Sequence, residues 1–381
     1  MANIIDYVEK IGNKDFTELD FNEVDSLIMC SLSYQVFDKY VPNINSRNSK
    51  RKSIYLKELL TDEQIVLDMI EPTLLPSVSK KFINALVKTK RFGDIKIAFF
   101  DSKFDEITQT QFAAMTFLLS NKINYIAFRG TDMSILGWKE DFNMALLNEI
   151  PGQTHAVNYL NYVIPRLKGT IYVGGHSKGG NLARFGSTFT SYRHQKKICK
   201  IFDHDGPGIQ RDLSNEARYI KIQERIFKTI PFDSIVGILL NHDGKYKVVK
   251  AKYVSLLQHD QYNWKVDLDN ADFIYSDKSS LISQINDEAI NKWIKNMPDE
   301  KKKIVVECIF DIFAKAEIKT IKQMLSYPLT KLYRAINAIS NFSNEEKHTL
   351  FQTMTSLIKI WFLILNKKIK TNTFKNKKNI E

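Results

Sequence analysis

A chain of 381 residues, 44% of them hydrophobic and 26% charged, holds ample apolar material for a core, which excludes intrinsic disorder, collagen-like sequence and a small disulfide-stapled scaffold. Lys and Arg number 55 against 43 Asp and Glu, a formal net charge of +12. Residues 366–381 hold six Lys and one Glu, so +5 of that charge lies in the last sixteen residues and +7 in the rest.

The basic balance does not read as a nucleic-acid footprint. There is no zinc-finger spacing, no RNP-like run and no clear recognition-helix pattern, and the cluster Arg47, Lys50, Arg51, Lys52 reads as a solvated loop. Cys30, Cys199 and Cys308 are far apart, odd in number and form no metal-type pair, which suits buried thiols in a reducing cytoplasm. The opening MANIIDYVEKIGNKD lacks the apolar core of a secretory signal. The longest apolar run near the end, Ile360–Leu365, falls far short of the roughly 20 residues that span a bilayer, so no transmembrane helix is expected.

In chain order, residues 1–92 read as mostly helical, with Val24, Leu27, Ile28, Leu32 and Tyr34 on roughly one face and a further helix opening at Asp62. Three β-rich runs follow, KIAFF, FAAMTFLL and INYIAF, the last two joined as a hairpin through Ser120-Asn121-Lys122. From there to about residue 266, strands alternate with helices, the signature of an α/β sheet with crossover connections. The strands are TIYV from Thr170, KIF from Lys200, Ile226 to Ile230 and YKVVKAKYV; the helices centre on Leu160 and on Gly179 to Ser191. After residue 278 strand signals stop. Apolar residues at helical spacing predict four or five helices, the last behind a capping box of Ser343 and Glu346. The expected organisation is an α/β domain over 1–275, an all-helical appendage over 276–365 and a disordered Lys-rich tail over 366–381.

The chemistry resides in Ile171–Gly180, IYVGGHSKGG, an apolar run followed by Gly175-His176-Ser177-Lys178-Gly179. G-x-S-x-G places a serine on a sharp strand-to-helix turn with its hydroxyl exposed, and the flanking glycines let strand and helix approach without a Cβ. The competing account is a glycine-rich turn whose Ser only caps the helix. His176, just before the candidate nucleophile, should point away from the site.

A serine needs a base, and the base needs an acid to fix its tautomer. In this architecture they follow in the order Ser, acid, His. His194 and His348 fall in or beside helices, His204 comes too early, and His242 reads as an exposed turn residue. That leaves His259 in LLQHD. Asp233, in PFDSIVG after the strand ending at Ile230, is the favoured acid, with Asp205 of DGPG as its rival. For the oxyanion hole, one donor is the backbone N–H of Lys178 and the other comes from Thr131 in FRGTD, after an earlier strand.

With these residues assembled, the sequence resembles the class 3, fungal-type lipase branch of the α/β-hydrolases, and more closely a bacterial domain family of lipase-like hydrolases. The matching stretches are FRGTD, GGHSKGGNLA, DGPG, PFDSIVGILL and LLQHDQYNW, spread over roughly residues 20–266. The resemblance implies an α/β-hydrolase-like central sheet flanked by helices, with Ser177 as nucleophile, Asp233 as acid, His259 as base and Thr131 and Lys178 lining the oxyanion hole. It also implies that Met133, Ile135, Leu136 and Trp138 occupy the place of the lipase lid. Lys178 departs from the apolar residue usual in these lipases, and a cation there argues against a purely apolar acyl pocket.

The expected function is a cytoplasmic serine hydrolase acting on an ester or thioester of a lipid-like acid, needing neither metal nor organic cofactor. The alternative is a catalytically silent hydrolase scaffold serving as a membrane-surface or protein-interaction module. Its support is the apolar last helix beside the Lys-rich tail, a pattern suited to peripheral contact with anionic lipid.

Overall fold

A computed structural model describes residues 2–44, 53–243, 245–320, 323 and 328–378. The basic cluster at Arg47, Lys50, Arg51 and Lys52 lies outside the described residues. Five helices open the chain: α1 (Ile4–Ile11), α2 (Glu23–Ser33), then, after a short strand β1 (Ser53–Tyr55), α3 (Leu56–Leu59), α4 (Glu63–Ile70) and α5 (Pro76–Val87). Asn3 and Asn22 start the first two with reciprocal capping boxes through Asp6 and Asp25, and Asp62 caps α4.

The strands β2 (Lys96–Asp105), β3 (Thr110–Leu118) and β4 (Ile123–Phe128) form an antiparallel meander. Then follow α6 (Ile135–Asn143), α7 (Pro151–Val163), β5 (Thr170–His176), α8 (Lys178–Phe189), α9 (Tyr192–Gln195), β6 (Ile198–His204), α10 (Ala217–Ile220), β7 (Ile226–Pro231) and β8 (Lys247–Val249). A two-residue ladder, β9 (Val266–Asp267) with β10 (Asp272–Phe273), stands apart from the main sheet. The strand β11 (Tyr275–Ser276) closes its edge, giving nine strands in the order β1-β2-β3-β4-β5-β6-β7-β8-β11. The run β4 to β8 is parallel and both flanks are antiparallel, a large mixed sheet flanked by helices.

Two layers of apolar side chains explain why INYIAF is apolar almost throughout. Successive residues point to opposite faces, and here both faces are covered. Tyr125 and Ala127 join the core beneath α1, α2 and α5, while Ile126 and Phe128 join the core beneath α7 and α8. A buried ion pair fixes the first layer. Arg91 grips both carboxylate oxygens of Asp25 on α2, at 2.9 and 2.5 Å, and its guanidinium lies 3.9 Å from the ring centroid of Phe16.

The helical appendage comprises α11 (Leu281–Asn296), α12 (Asp299–Lys315), α13 (Pro328–Ser340) and α14 (Asn344–Lys378). The expected Ser343–Glu346 box opens α14. It is tied to the sheet domain rather than merely appended. Ser280 N–H donates to Phe232 O at 2.7 Å, and Asn291 of α11 bonds the backbone at Leu240 and Ile238, both at 2.7 Å.

Several local expectations change. The edge strand β1 carries too little pattern to be read, and YKVVKAKYV contributes only three strand residues. Cys199 is exposed, while Cys30 and Cys308 are buried and all three are free. His242 is mostly covered, with its Nε2 3.2 Å from Asp287 of α11, because the appendage packs over that turn. The helix α14 runs to Lys378 with no Gly or Pro to interrupt it, and the last three residues of the expected Lys-rich tail lie outside the described residues. Its segment Asn344–Lys368 is long and apolar enough to cross a membrane by length and composition. Counting only uninterrupted apolar residues hides this, because Lys359 and scattered Ser, Thr and Gln break the run while leaving the average high.

Candidate active site

The parallel strands all point one way, so the residues just past their ends gather on one edge. Thr131 follows β4, Ser177 follows β5, Asp205 follows β6 and Asp233 follows β7. Ser177 has φ 59° and ψ −133°, the left-handed, strained backbone that the expected strand-to-helix elbow requires. Its glycines are required by contact. A Cβ on Gly175 would lie 2.1 Å from the backbone of Gly179, and one on Gly179 would lie 2.1 Å from Phe128 O on β4. The Ser177 hydroxyl does not cap α8, so the account of this serine as a helix cap has no geometric support.

His259 ends a 3₁₀ turn, Ser255–His259, and its Nδ1 lies 2.6 Å from Asp205 Oδ2. A carboxylate accepts, so Nδ1 carries the proton and Nε2 keeps a free lone pair, the tautomer a general base requires. Asp205 is fully buried, and its other oxygen accepts from Ser234 Oγ at 2.6 Å and Gly237 N–H at 3.0 Å. The acid beside His259 is therefore Asp205, not the favoured Asp233. The reason is where the two loops lie. Asp233 turns under the histidine loop, where its carboxylate accepts from Ser255 N–H at 2.6 Å and from Ser280 Oγ, while its own N–H donates to Gln258 Oε1 at 2.7 Å. PFDSIVG serves the site through Ser234 and Gly237, and Asp233 holds the loop that carries His259.

His176 also fixes that loop. Its Nε2 donates to His259 O at 2.8 Å, which leaves Nδ1 to accept from Tyr34 Oη at 2.9 Å, and the two imidazoles lie 4.6 Å apart between centroids. Burial, with His259 and His204 nearby, holds the His176 pKa well below the ordinary value, so the ring stays neutral. The same applies to His204, buried on Ser26 and Thr229 and pushed down to about 3. Both are structural, as the chain order implies.

Past β4, at the expected oxyanion-hole residue, the Thr131 hydroxyl donates to Asp141 Oδ2 at 2.5 Å. Burial raises the Asp141 pKa to about 6. Lys178 opens α8, whose first N–H groups lack intrahelical partners. Its side chain points inward. The ammonium is fully buried and donates to Gln111 O at 2.7 Å, Gln111 Oε1 at 2.6 Å and Glu140 Oε2 at 2.7 Å, which uses all three protons. Glu140 also accepts from Gln111 N–H and Gly152 N–H, each at 3.1 Å. The cation expected beside the site is thus buried and paired with Glu140. The signal was present in the sequence as Glu140-Asp141, two acids just after the lid-like segment, but the partner of Glu140 is remote in the chain. Lys178→Met alone is expected to destabilise the protein by about 3–5 kcal/mol, since it strands a buried carboxylate, and Lys178→Met/Glu140→Gln to regain part of that. Urea unfolding measures it, and a single-mutant loss below about 1 kcal/mol contradicts the assignment.

These contacts also bear on the proposed lid. Met133, Ile135, Leu136 and Trp138 are half-buried at and just before the start of α6, and Glu140 and Asp141 bind Lys178 and Thr131 from the same helix. The appendage holds the segment from outside. Ile135 N–H donates to Lys319 O at 2.9 Å, Ser134 bridges Thr320, and the Phe142 and Phe310 rings meet edge to face at 5.6 Å. Beside His259, the loop residues Tyr253, Val254, Leu256 and Leu257 are exposed, forming an apolar rim.

The family model described as Mbeg1-like matches residues 86–311, more than half of the chain. Comparison with the curated proteins gives no match. Among solved structures the chain is similar to M37 lipase, at 15% identity and TM-score 0.37, over 58% of this chain and 70% of that one. It is similar to Rhizomucor miehei lipase in its propeptide complex, at 17% identity and TM-score 0.33, over 45% and 70%. It is similar also to a fungal lipase in an inhibitor complex, at 15% identity and TM-score 0.32, over 52% and 81%.

Proposed function

Since the chain belongs to the Mbeg1-like family, a lipase-like branch of the α/β-hydrolases, we propose that it is a serine hydrolase cleaving an ester or thioester of a lipid-like acid. The observations that carry this reading are an elbow serine in a strained backbone and a hydrogen-bonded His259–Asp205 couple, with Ser177 and Asp205 following the adjacent strands β5 and β6. The exposed apolar rim at Tyr253–Leu257 supports a lipid-like acyl group, because it offers apolar surface beside the base.

In this mechanism Ser177 Oγ attacks the carbonyl carbon as His259 Nε2 takes its proton, and Asp205 stabilises the imidazolium. The tetrahedral oxyanion is bound by the N–H groups of Lys178 and Thr131, with the positive end of α8 directed at it. The Thr131 hydroxyl proton is directed at Asp141, so the backbone N–H is the donor this residue offers. The intermediate collapses with His259 protonating the leaving alkoxide or thiolate, and water repeats the sequence on the acyl-enzyme. Hydrolysis of p-nitrophenyl esters of increasing acyl length tests the substrate class. The expected result is turnover that rises from acetate to medium chains; no turnover of any member by folded protein contradicts it.

A further inference from the structure

The last helix is only half used by the fold. One face of α14 packs on α11, where Ile364 joins Ile285 and Ala289, Trp293 Nε1 donates to Thr353 O at 3.0 Å and Trp361 Nε1 donates to Asn286 Oδ1 at 2.9 Å. The adjoining face carries Phe351, Met354, Ile358 and Phe362, which fall within one quarter of the helix circumference and are 73, 55, 52 and 54% exposed. On α13, Tyr333 and Ile336 are likewise exposed at one-turn spacing. Of the apolar stretch within Asn344–Lys368, only 17% is buried.

We propose that this face of α14 docks in the interfacial layer of an anionic membrane. The charge beside it decides the occupant. Lys359 is exposed near the stripe, and residues 366–378 bring six Lys and no acid to the end of the same helix. An apolar stripe with a basic continuation matches a bilayer that offers acyl chains and negative headgroups together. The helix lies in the interface rather than across it, because its other face already binds α11 through two indole hydrogen bonds and packed side chains. Docking would place the membrane against the same appendage that holds α6 beside the oxyanion region.

Vesicle sedimentation of the full chain tests this independently of catalysis. The protein is expected to bind equimolar phosphatidylcholine/phosphatidylglycerol vesicles, and to bind phosphatidylcholine alone about tenfold more weakly. Phe351→Glu/Phe362→Glu, at exposed positions that leave the fold intact by circular dichroism, is expected to lose about tenfold or more of the binding. Lys370→Gln/Lys375→Gln/Lys377→Gln/Lys378→Gln is expected to remove the preference for the anionic lipid. Equal sedimentation of wild type and the double Glu variant overturns the proposal. So does a dimer, seen by analytical ultracentrifugation, that the double Glu variant dissociates while neither protein binds vesicles.

Discussion

Ser177→Ala is expected to lower kcat by on the order of 10³-fold or more, on any ester the wild type hydrolyses, while the protein stays folded. The substitution is clean for structural reasons. The hydroxyl caps nothing, and the strained φ of 59° comes from the elbow glycines and the strand-to-helix join, which Ala leaves in place. Stability should therefore change by no more than about 1 kcal/mol, measured by urea unfolding beside the kinetics. A loss of activity accompanied by unfolding would not identify the nucleophile. Activity within about tenfold of wild type, in a folded variant, would remove Ser177 from the mechanism.

Asp205→Asn and Asp233→Asn should separate sharply. At position 205 an amide replaces the acceptor for His259 Nδ1–H, so the imidazole loses the tautomer that leaves Nε2 free, and kcat is expected to fall about 10³- to 10⁴-fold. Asp205 also receives Ser234 and Gly237, which Asn satisfies only in part, so a moderate stability loss accompanies it. At position 233 the carboxylate holds Ser255 and Ser280 but not the imidazole. Asp233→Asn is expected to cost about 1–2 kcal/mol of stability and tenfold or less in kcat, by loosening the loop under His259. Steady-state kinetics on the two folded variants decides it, and the reverse ranking would reinstate Asp233 as the acid.

That pair also marks the limit of what could be read from residues alone. The elbow was legible because its requirements are local: two glycines and a serine lie within five residues at the join of a strand and a helix, and each glycine is forced by a contact of 2.1 Å. The α/β sheet was legible because the strands buried on both faces are apolar almost throughout, as in INYIAF. The acid was not. Asp205 and Asp233 both follow a strand on the same edge, and only the path of the loop after β8 determines which one His259 meets. Lys178 could be recognised as unusual, but its partner Glu140 lies 38 residues earlier, so burial of the pair was invisible. The membrane-length segment in α14 was hidden by Lys359, and the exposure of its outer stripe depends on α11 covering only one face.

The central claim is that the fold activates Ser177, and covalent labelling asks this without a known substrate. Folded protein treated with a fluorophosphonate probe, digested and analysed by mass spectrometry, is expected to carry one adduct on the peptide containing Ser177, absent in Ser177→Ala and formed far more slowly in Asp205→Asn. No adduct on the folded wild type, or an adduct on a different serine, would contradict the account.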